Sequence, residues 1–257
     1  MFTRVALRLG FTLLAILLPA CVFADPVTGT LDITGGLSLT GTTVDFLPTG
    51  GGTGTILADA FSNTGTFAVL NSGNPAAEQS GTIYDINLAT APSGTIFITG
   101  FSSDPDIELE LNAISPGIFG TSSCGAAPAA GQTCSPALSP LDLVNLPAGT
   151  GFDTLVSFSF SGTAVNTSTG ETSPFTGTLS TQFAGPYQQL LFDLATSTPE
   201  SSTFSATITV DGGDGGTGGG TTTAPEPGSF LLLLVGLGAI GLLAPLRKFR
   251  NLQSTAR

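Results

Sequence analysis

Short runs of alternating apolar and polar residues recur along the chain between Val27 and Val210. The alternation is clearest in Leu155–Phe160 and in Phe204–Val210, where every second residue is apolar. A period of two is typical of a strand with one buried face, and Thr, Val, Ile and Phe favour such strands. The pattern predicts strands at Thr30–Ile33, Leu37–Phe46, Thr66–Leu70, Thr82–Leu88, Thr95–Phe101, Ile107–Leu111, Thr154–Val165, Phe175–Phe183, Leu190–Leu194 and Thr203–Val210.

No part of this middle region has an apolar stripe with helical spacing and good helix formers. Many short strands in one domain predict an all-β fold, and we expect a single β-sandwich or jelly roll over residues 25–210. Pro116 to Gly151 is rich in Gly, Ala and Pro and is predicted to be a loop. Residues 211–223, DGGDGGTGGGTTT, are predicted to be a flexible linker.

The N-terminal 24 residues have the three parts of a secretory signal peptide. Two early arginines precede the apolar run Leu9–Leu18, which is too short to span a membrane comfortably. Small residues at positions 22 and 24 predict cleavage by signal peptidase between Ala24 and Asp25. A lipoprotein signal ending at Cys21 is the alternative, although the proline at position 19 fits its consensus poorly.

The C-terminal segment combines a short proline motif, an apolar run and a basic cluster. Pro225, Glu226 and Pro227 come just before the run Phe230–Leu246, FLLLLVGLGAIGLLAPL. As a helix those residues would reach about 25 Å, enough to cross a thin bilayer core, so a transmembrane helix is predicted at about 230–246. The cluster Arg247, Lys248 and Arg250 follows. The positive-inside rule places the cluster in the cytoplasm and the preceding domain outside.

This order of features in residues 224–250 resembles the PEP-CTERM sorting signal of Gram-negative bacteria. The resemblance implies that a membrane peptidase of the exosortase type recognises the motif, removes the helix, and releases or transfers the protein outward. Ala224 stands where the family commonly has valine. The resemblance also implies an exported protein, passing through the inner membrane to the cell surface or medium, and an association with exopolysaccharide and biofilm.

Charge is distributed very unevenly along the chain. All six lysines and arginines lie in the two end segments, all 18 acidic residues lie between them, and histidine is absent. A domain without cations cannot neutralise phosphates, so we expect no binding of nucleic acid. Catalytic triads that need histidine, lysine nucleophiles and phosphate clamps are excluded for the same reason. We therefore predict a protein that is not an enzyme and needs no cofactor, with a carboxylate glycosidase as the remaining enzymatic alternative.

The mature chain would retain two cysteines, Cys124 and Cys134. An even pair, close in sequence and outside the cytoplasm, predicts a disulfide. A zinc site is disfavoured, because no histidine and no further cysteine could complete it. The disulfide would close a loop that is too rich in Gly, Ala and Pro to order itself by packing.

Carboxylates are most concentrated at Asp104, Asp106, Glu108 and Glu110. On a strand the last three would share one face, about 6.5–7 Å apart, which is within the range of inverting glycosidases. Calcium is the candidate ion, because clustered oxygens without cations suit it. The simplest interpretation is a solvated outer face. The leading functional hypothesis is a structural surface or matrix protein, and the alternative is a calcium-dependent or neutral-glycan-binding module.

Overall fold

The computed structural model describes residues 26–49, 51–90, 92–196 and 198–212. These residues form an all-β fold with one α-helix, α1, at Tyr187–Ala195. The predicted signal peptide, all but the first two residues of the predicted linker and the C-terminal segment lie outside them. The strands are β1 (Gly29–Leu39), β2 (Thr43–Phe46), β3 (Thr53–Ala58), β4 (Gln79–Tyr84), β5 (Ile86–Asn87), β6 (Thr95–Thr99), β7 (Ile107–Ile114), β8 (Thr133–Cys134), β9 (Asp142–Ala148), β10 (Gly151–Asn166), β11 (Thr172–Ala184) and β12 (Glu200–Val210).

Eight antiparallel strands close into a barrel, in the order β11, β12, β1, β3, β4, β6, β7, β10 and back to β11. The long strand β10 closes the barrel because it pairs with both β7 and β11, and it also pairs with β9 outside the barrel. It pairs with β11 from Asp153 to Val165, with β9 near its start and with β7 near its end. The predicted β-sandwich or jelly roll is therefore wrong. One buried face per strand is common to a sandwich and a closed sheet, so the alternation could not distinguish them.

The barrel interior is filled by phenylalanine side chains placed opposite glycines. Phe97 and Phe160 pack edge to face with ring centroids 5.2 Å apart, and so do Phe46 and Phe204. A ring on one strand needs space on its neighbour, and a residue without a Cβ provides it. The cross-strand pairs with this large-small arrangement are Phe160 with Gly177, Phe175 with Gly162, and Phe204 with Gly35.

Two predicted strands are helical. Thr66–Leu70 lies in a 3-10 helix, Gly65–Leu70, whose buried side chains, Phe67 and Leu70, are three residues apart. Leu190–Leu194 lies in α1, whose buried residues, Tyr187, Leu190 and Leu194, follow a helical stripe. These short apolar segments have no clear period of two. Their composition favours strands, but the side chains that pack into the core have helical spacing.

The predicted loop from Pro116 to Gly151 contains two strands, β8 and β9. Strand β9 pairs with the start of β10, and buries Leu143 and Asn145 completely. Strand β3 was also missed, because glycines surround it. The predicted strand Leu37–Phe46 is split between the end of β1 and β2, and Thr82–Leu88 is split between the end of β4 and β5.

The disulfide Cys124–Cys134 is present, with the two Cα atoms 5.1 Å apart, and confirms the predicted pairing. The disulfide loop and the residue before it contact α1. The Tyr187 hydroxyl donates a hydrogen bond to the Ser123 carbonyl over 3.0 Å, and the Gln188 amide donates to the Ala126 carbonyl over 3.1 Å. Asn145 is fully buried and accepts a hydrogen bond from the Tyr187 backbone N–H over 2.8 Å. These side-chain and backbone contacts thus order a loop that is rich in Gly, Ala and Pro and has few large side chains to pack.

Candidate functional site

The predicted acidic strand is observed as β7. Ile107, Leu109 and Leu111 are buried, whereas Glu108 and Glu110 are half-buried on the outer face. The alternation expected for Ile107–Leu111 is therefore confirmed, whereas Asp106, which was expected to share the face of Glu108 and Glu110, lies in the turn before the strand. Glu110 lies across from Thr163 of β10, and Glu108 from Val165.

Asp104 lies in the turn before β7, next to Asp106. Burial raises the pKa of the Asp104 carboxyl, and the negative charge of Asp106 raises it further. Within the residues that the structure describes, no group of three or more His, Cys, Asp or Glu side chains is placed to hold a metal ion. Calcium binding at this strand stays a prediction that this geometry does not favour.

A surface of small hydroxyl side chains covers β10, β11, β12 and β1. Pairing places Ser159 beside Thr178, Thr178 beside Thr207, and Thr207 beside Asp32. The Thr207 hydroxyl donates to the Asp32 carboxylate over 2.6 Å. A parallel row contains Ser157, Ser180, Ser205 and Thr34. We call these two rows the hydroxyl face.

A shallow groove of about 590 Å³ crosses the hydroxyl face. Its lining includes Leu155, Gln182 and Thr203. Phe204 also contributes, but this residue is only 4% exposed and belongs to the core. The groove therefore offers hydrogen-bonding groups without an accessible aromatic ring.

A second groove, of about 500 Å³, lies where β4 and β5 meet β6. We call it the Tyr84 groove. Its lining combines the aromatic side chain of Tyr84, the carboxylate of Asp85, the amide of Asn87, the hydroxyl of Thr95 and the apolar side chain of Ile96. This volume is in the range of ligand pockets, which combine apolar walls with a few polar groups.

Side-chain hydrogen bonds support the walls of the Tyr84 groove. The Asp85 carboxylate accepts the Phe46 backbone N–H over 2.8 Å. The Asn112 side chain accepts the Gly94 N–H over 3.1 Å and donates to Thr163 over 2.9 Å, which ties the segment before β6 to β7 and β10. These contacts connect the groove to β2, β7 and β10.

A second carboxyl group, that of Asp45, lies beside Asp85 on the neighbouring strand. Burial raises the pKa of Asp45, and repulsion by Asp85 and a hydrogen bond between the two side chains raise it further. Oδ1 of Asp45 is buried and has no hydrogen-bond partner within the described residues. The chain has no basic residue between Asp25 and Leu246, so none can neutralise this pair.

The two tyrosines of the chain have different environments. Tyr187 is fully buried and its hydroxyl is hydrogen-bonded, so its role is structural. Tyr84 is half-buried on the outer face, and its hydroxyl forms no hydrogen bond inside the described part of the chain. Tyr84 and Asp85 were not predicted as a site. The signal was present, because the alternation in Thr82–Tyr84 places Tyr84 on the polar side.

The remaining predicted site residues lie outside the described residues. They are the cleavage pair Ala24 and Asp25, the sorting motif Pro225, Glu226 and Pro227, the basic cluster Arg247, Lys248 and Arg250, and the alternative lipidation site Cys21. Across the described ranges, no helix has the length and apolar character that crossing a membrane requires. The predicted span at 230–246 lies beyond these ranges.

Comparison with known proteins identifies the C-terminal segment. Residues 223–248 match the family model of the PEP-CTERM protein-sorting motif. No curated protein and no solved structure matches the chain. The match confirms the resemblance drawn from the Pro-Glu-Pro motif, the apolar run and the basic cluster.

The matched motif indicates how this class of protein is exported and sorted. It supports an exported protein that is sorted by an exosortase-type system and processed by a membrane protease of that type. It also implies anchoring in the membrane before cleavage. The motif covers only the C-terminal segment, so the role of the ectodomain has to be argued from its own surface.

Proposed function

We propose that this chain is a structural, non-enzymatic protein of the cell surface or extracellular matrix that associates with exopolysaccharide in a biofilm. The observation that carries the proposal is the sorting motif at residues 223–248. In this proposal signal peptidase cleaves before Asp25, and an exosortase removes the C-terminal helix. The processed ectodomain is then released or transferred to an envelope component.

The charge of the ectodomain favours an electrically neutral binding partner. The chain from Asp25 to Leu246 has carboxylates and no cation. Such a domain is repelled by nucleic acid and by anionic lipid surfaces, because no side chain can neutralise a phosphate. Neutral polysaccharide carries no such penalty, and the hydroxyl face can exchange hydrogen bonds with it.

The absence of histidine and of internal lysine supports a non-enzymatic role, because most nucleophile and acid–base arrangements need one of them. Glycoside hydrolysis by carboxylates is the remaining chemistry. It stays an alternative hypothesis, to be tested by activity on a polysaccharide panel and its loss in Glu108→Gln or Glu110→Gln.

The intact mass of the protein recovered from its native host tests the sorting route. A chain from Asp25 to near Pro227 is expected. A mass that still includes Leu246 to Arg257 would contradict removal of the helix. Fractionation of the same culture tests the location: the protein is expected with the polysaccharide-rich matrix, and a purely membrane-bound pool would contradict the proposal.

A binding module for neutral glycans is the second candidate function. The observation that favours it is the Tyr84 groove, which combines an aromatic side chain with a carboxylate and an amide. A structural matrix protein and a glycan-binding protein are compatible, because a matrix component has to contact its polymer somewhere.

A further inference from the structure

Three cavities of the described domain are candidate ligand sites. A pocket of about 290 Å³ beside α1 is lined mainly by Leu, Ala and Pro side chains, and nothing in the structure indicates what covers it. The groove on the hydroxyl face is polar but has no accessible aromatic ring. The Tyr84 groove alone among the three combines both properties.

The chemistry of the Tyr84 groove matches a neutral, polyhydroxylated ligand. A sugar ring presents an apolar face of C–H groups and a rim of hydroxyls. An aromatic side chain with a polar end provides the complementary apolar surface, as Tyr84 does. Asp85 provides a hydrogen-bond acceptor. The Asn87 Oδ1 already accepts the Ala89 backbone N–H over 2.8 Å, so Asn87 offers mainly its amide N–H donors. Anionic sugars are disfavoured, because Asp85 and the neighbouring Asp45 repel them.

Accessibility supports the same ligand. Asn87 and Thr95 are exposed, and the side chain of Ile96 is 40% exposed although it is apolar. The carboxylate of Asp85 accepts the Phe46 N–H through Oδ1.

We propose that the Tyr84 groove binds a neutral polysaccharide chain, with one sugar ring against Tyr84 and its hydroxyls hydrogen-bonded to Asp85 and Asn87. This inference rests on the proposed function for its biological setting, since matrix association supplies the polymer. It assigns that association to one place on the ectodomain. The hydrogen bond from the Phe46 N–H holds the Asp85 carboxylate in place, which reduces the entropy lost on binding.

Affinity electrophoresis of the full chain in detergent tests the proposal. The probes are dextran, a mixed-linkage β-glucan and galactomannan as neutral polymers, and alginate as an acidic one. We expect at least one neutral polymer to retard the wild-type protein, and alginate to have no effect. Tyr84→Ala is expected to weaken binding about tenfold or more, as truncation of a central aromatic contact does. Tyr84→Phe retains the ring and is expected to lose little.

Phe192→Ala is the matched control, because Phe192 is an aromatic residue that is 64% exposed and lies on α1, away from the groove. Ile96→Ala is a second groove variant whose exposed side chain contributes little to folding, and it is expected to weaken binding as well. Melting curves identify variants that fail to fold. Failure of every neutral polymer to bind, or equal effects of Tyr84→Ala and Phe192→Ala, would overturn the proposal.

Matrix fractionation separates this inference from the proposed function. If the wild-type protein and Tyr84→Ala both remain in the matrix and neither binds a neutral polymer, the groove is not the site and the proposed function stands. If the wild-type protein binds a polymer through Tyr84 but is absent from the matrix, the groove is a glycan site and the proposed location is wrong.

Discussion

Replacing Gly177 by alanine should introduce a steric clash inside the barrel. A Cβ at this position would lie 2.5 Å from Cε2 and Cζ of Phe160 and 3.2 Å from Cγ1 of Ile208. Overpacking of this kind costs about 1–3 kcal/mol. Because 1 kcal/mol corresponds to about 2–4 °C in a domain of this size, Tm should fall by roughly 2–12 °C.

Gly151→Ala is the control for the substitution itself. Gly151 lies in β10, the strand that also carries Phe160, and the nearest atom to a Cβ added at this position would be the Ala148 carbonyl oxygen, at 3.9 Å. Removing a glycine from the unfolded chain should raise stability here by about 0.4–1 kcal/mol. The difference between the two variants therefore measures the clash without the general effect of losing a glycine.

A double-mutant cycle with Phe160→Leu identifies the clashing partner. Leucine vacates part of the space of the ring, so the new methyl group of Gly177→Ala should fit better. The free energy lost in the double variant should be smaller than the sum of the two single losses by about 0.5–3 kcal/mol. Thermal and denaturant unfolding followed by circular dichroism provides the values. Additive losses, or a Gly177→Ala variant as stable as Gly151→Ala, would refute the large-small packing.

Further predictions concern the carboxyl pair and the disulfide. Since the folded-state pKa of Asp45 is raised, the folded protein binds this proton more tightly than the unfolded chain, and stability should fall as pH rises from 3.8 through the raised value. Asp45→Asn should therefore stabilise the protein at pH 7 by about 0.2–1 kcal/mol, the size of the interaction in a cross-strand charge pair, and should not stabilise it at pH 3. Urea unfolding at both pH values measures this difference. An effect that does not depend on pH would contradict the prediction. Replacing Cys124 and Cys134 by serine should cost roughly 2–3 kcal/mol for a loop of this length, measured by Tm against the reduced and oxidised wild type. The Tyr187→Phe variant loses the hydrogen bond to the disulfide loop and should cost about 1–2 kcal/mol, with faster amide exchange in that loop; unchanged exchange would show that the loop is held by other contacts.

The strands that could be predicted from the sequence are those with one buried face and one solvated face. Leu155–Phe160 and Phe204–Val210 alternate without interruption, and both lie in long strands, β10 and β12. The two-residue strand β8 and the glycine-flanked β3 have too few alternating positions to give a signal. The helix α1 was missed because only three of its side chains, Tyr187, Leu190 and Leu194, are buried.

Closure of the sheet could not be predicted, because it depends on pairing between distant residues. Asn166 of β10 pairs with Ile107 of β7, and Gly29 of β1 pairs with Val210 of β12. No local pattern encodes these partners. The candidate site could not be predicted for the same reason. Tyr84 and Asp85 follow each other in sequence, but Thr95 and Ile96 join them only through the pairing of β4 with β6.

The sorting segment was the opposite case, because its information is local. A proline motif, an apolar run and a basic cluster follow one another along the chain. The match of residues 223–248 to the motif therefore depends on sequence alone. The disulfide was also predictable, since Cys124 and Cys134 are the pair that remains after the predicted signal peptide is removed.

The closed order of the eight strands also limits how copies of the ectodomain can join. An open sheet offers its edge strands as templates on which other chains add, which leads to fibrils. Here the strand path ends at β8, and its branch ends at β5, each only two residues long. In the described part of the chain, neighbouring copies of the ectodomain therefore have no long free edge to share. Growth of a layer by shared backbone hydrogen bonds is blocked, and cohesion has to come from side-chain surfaces or from a polymer that bridges neighbouring copies.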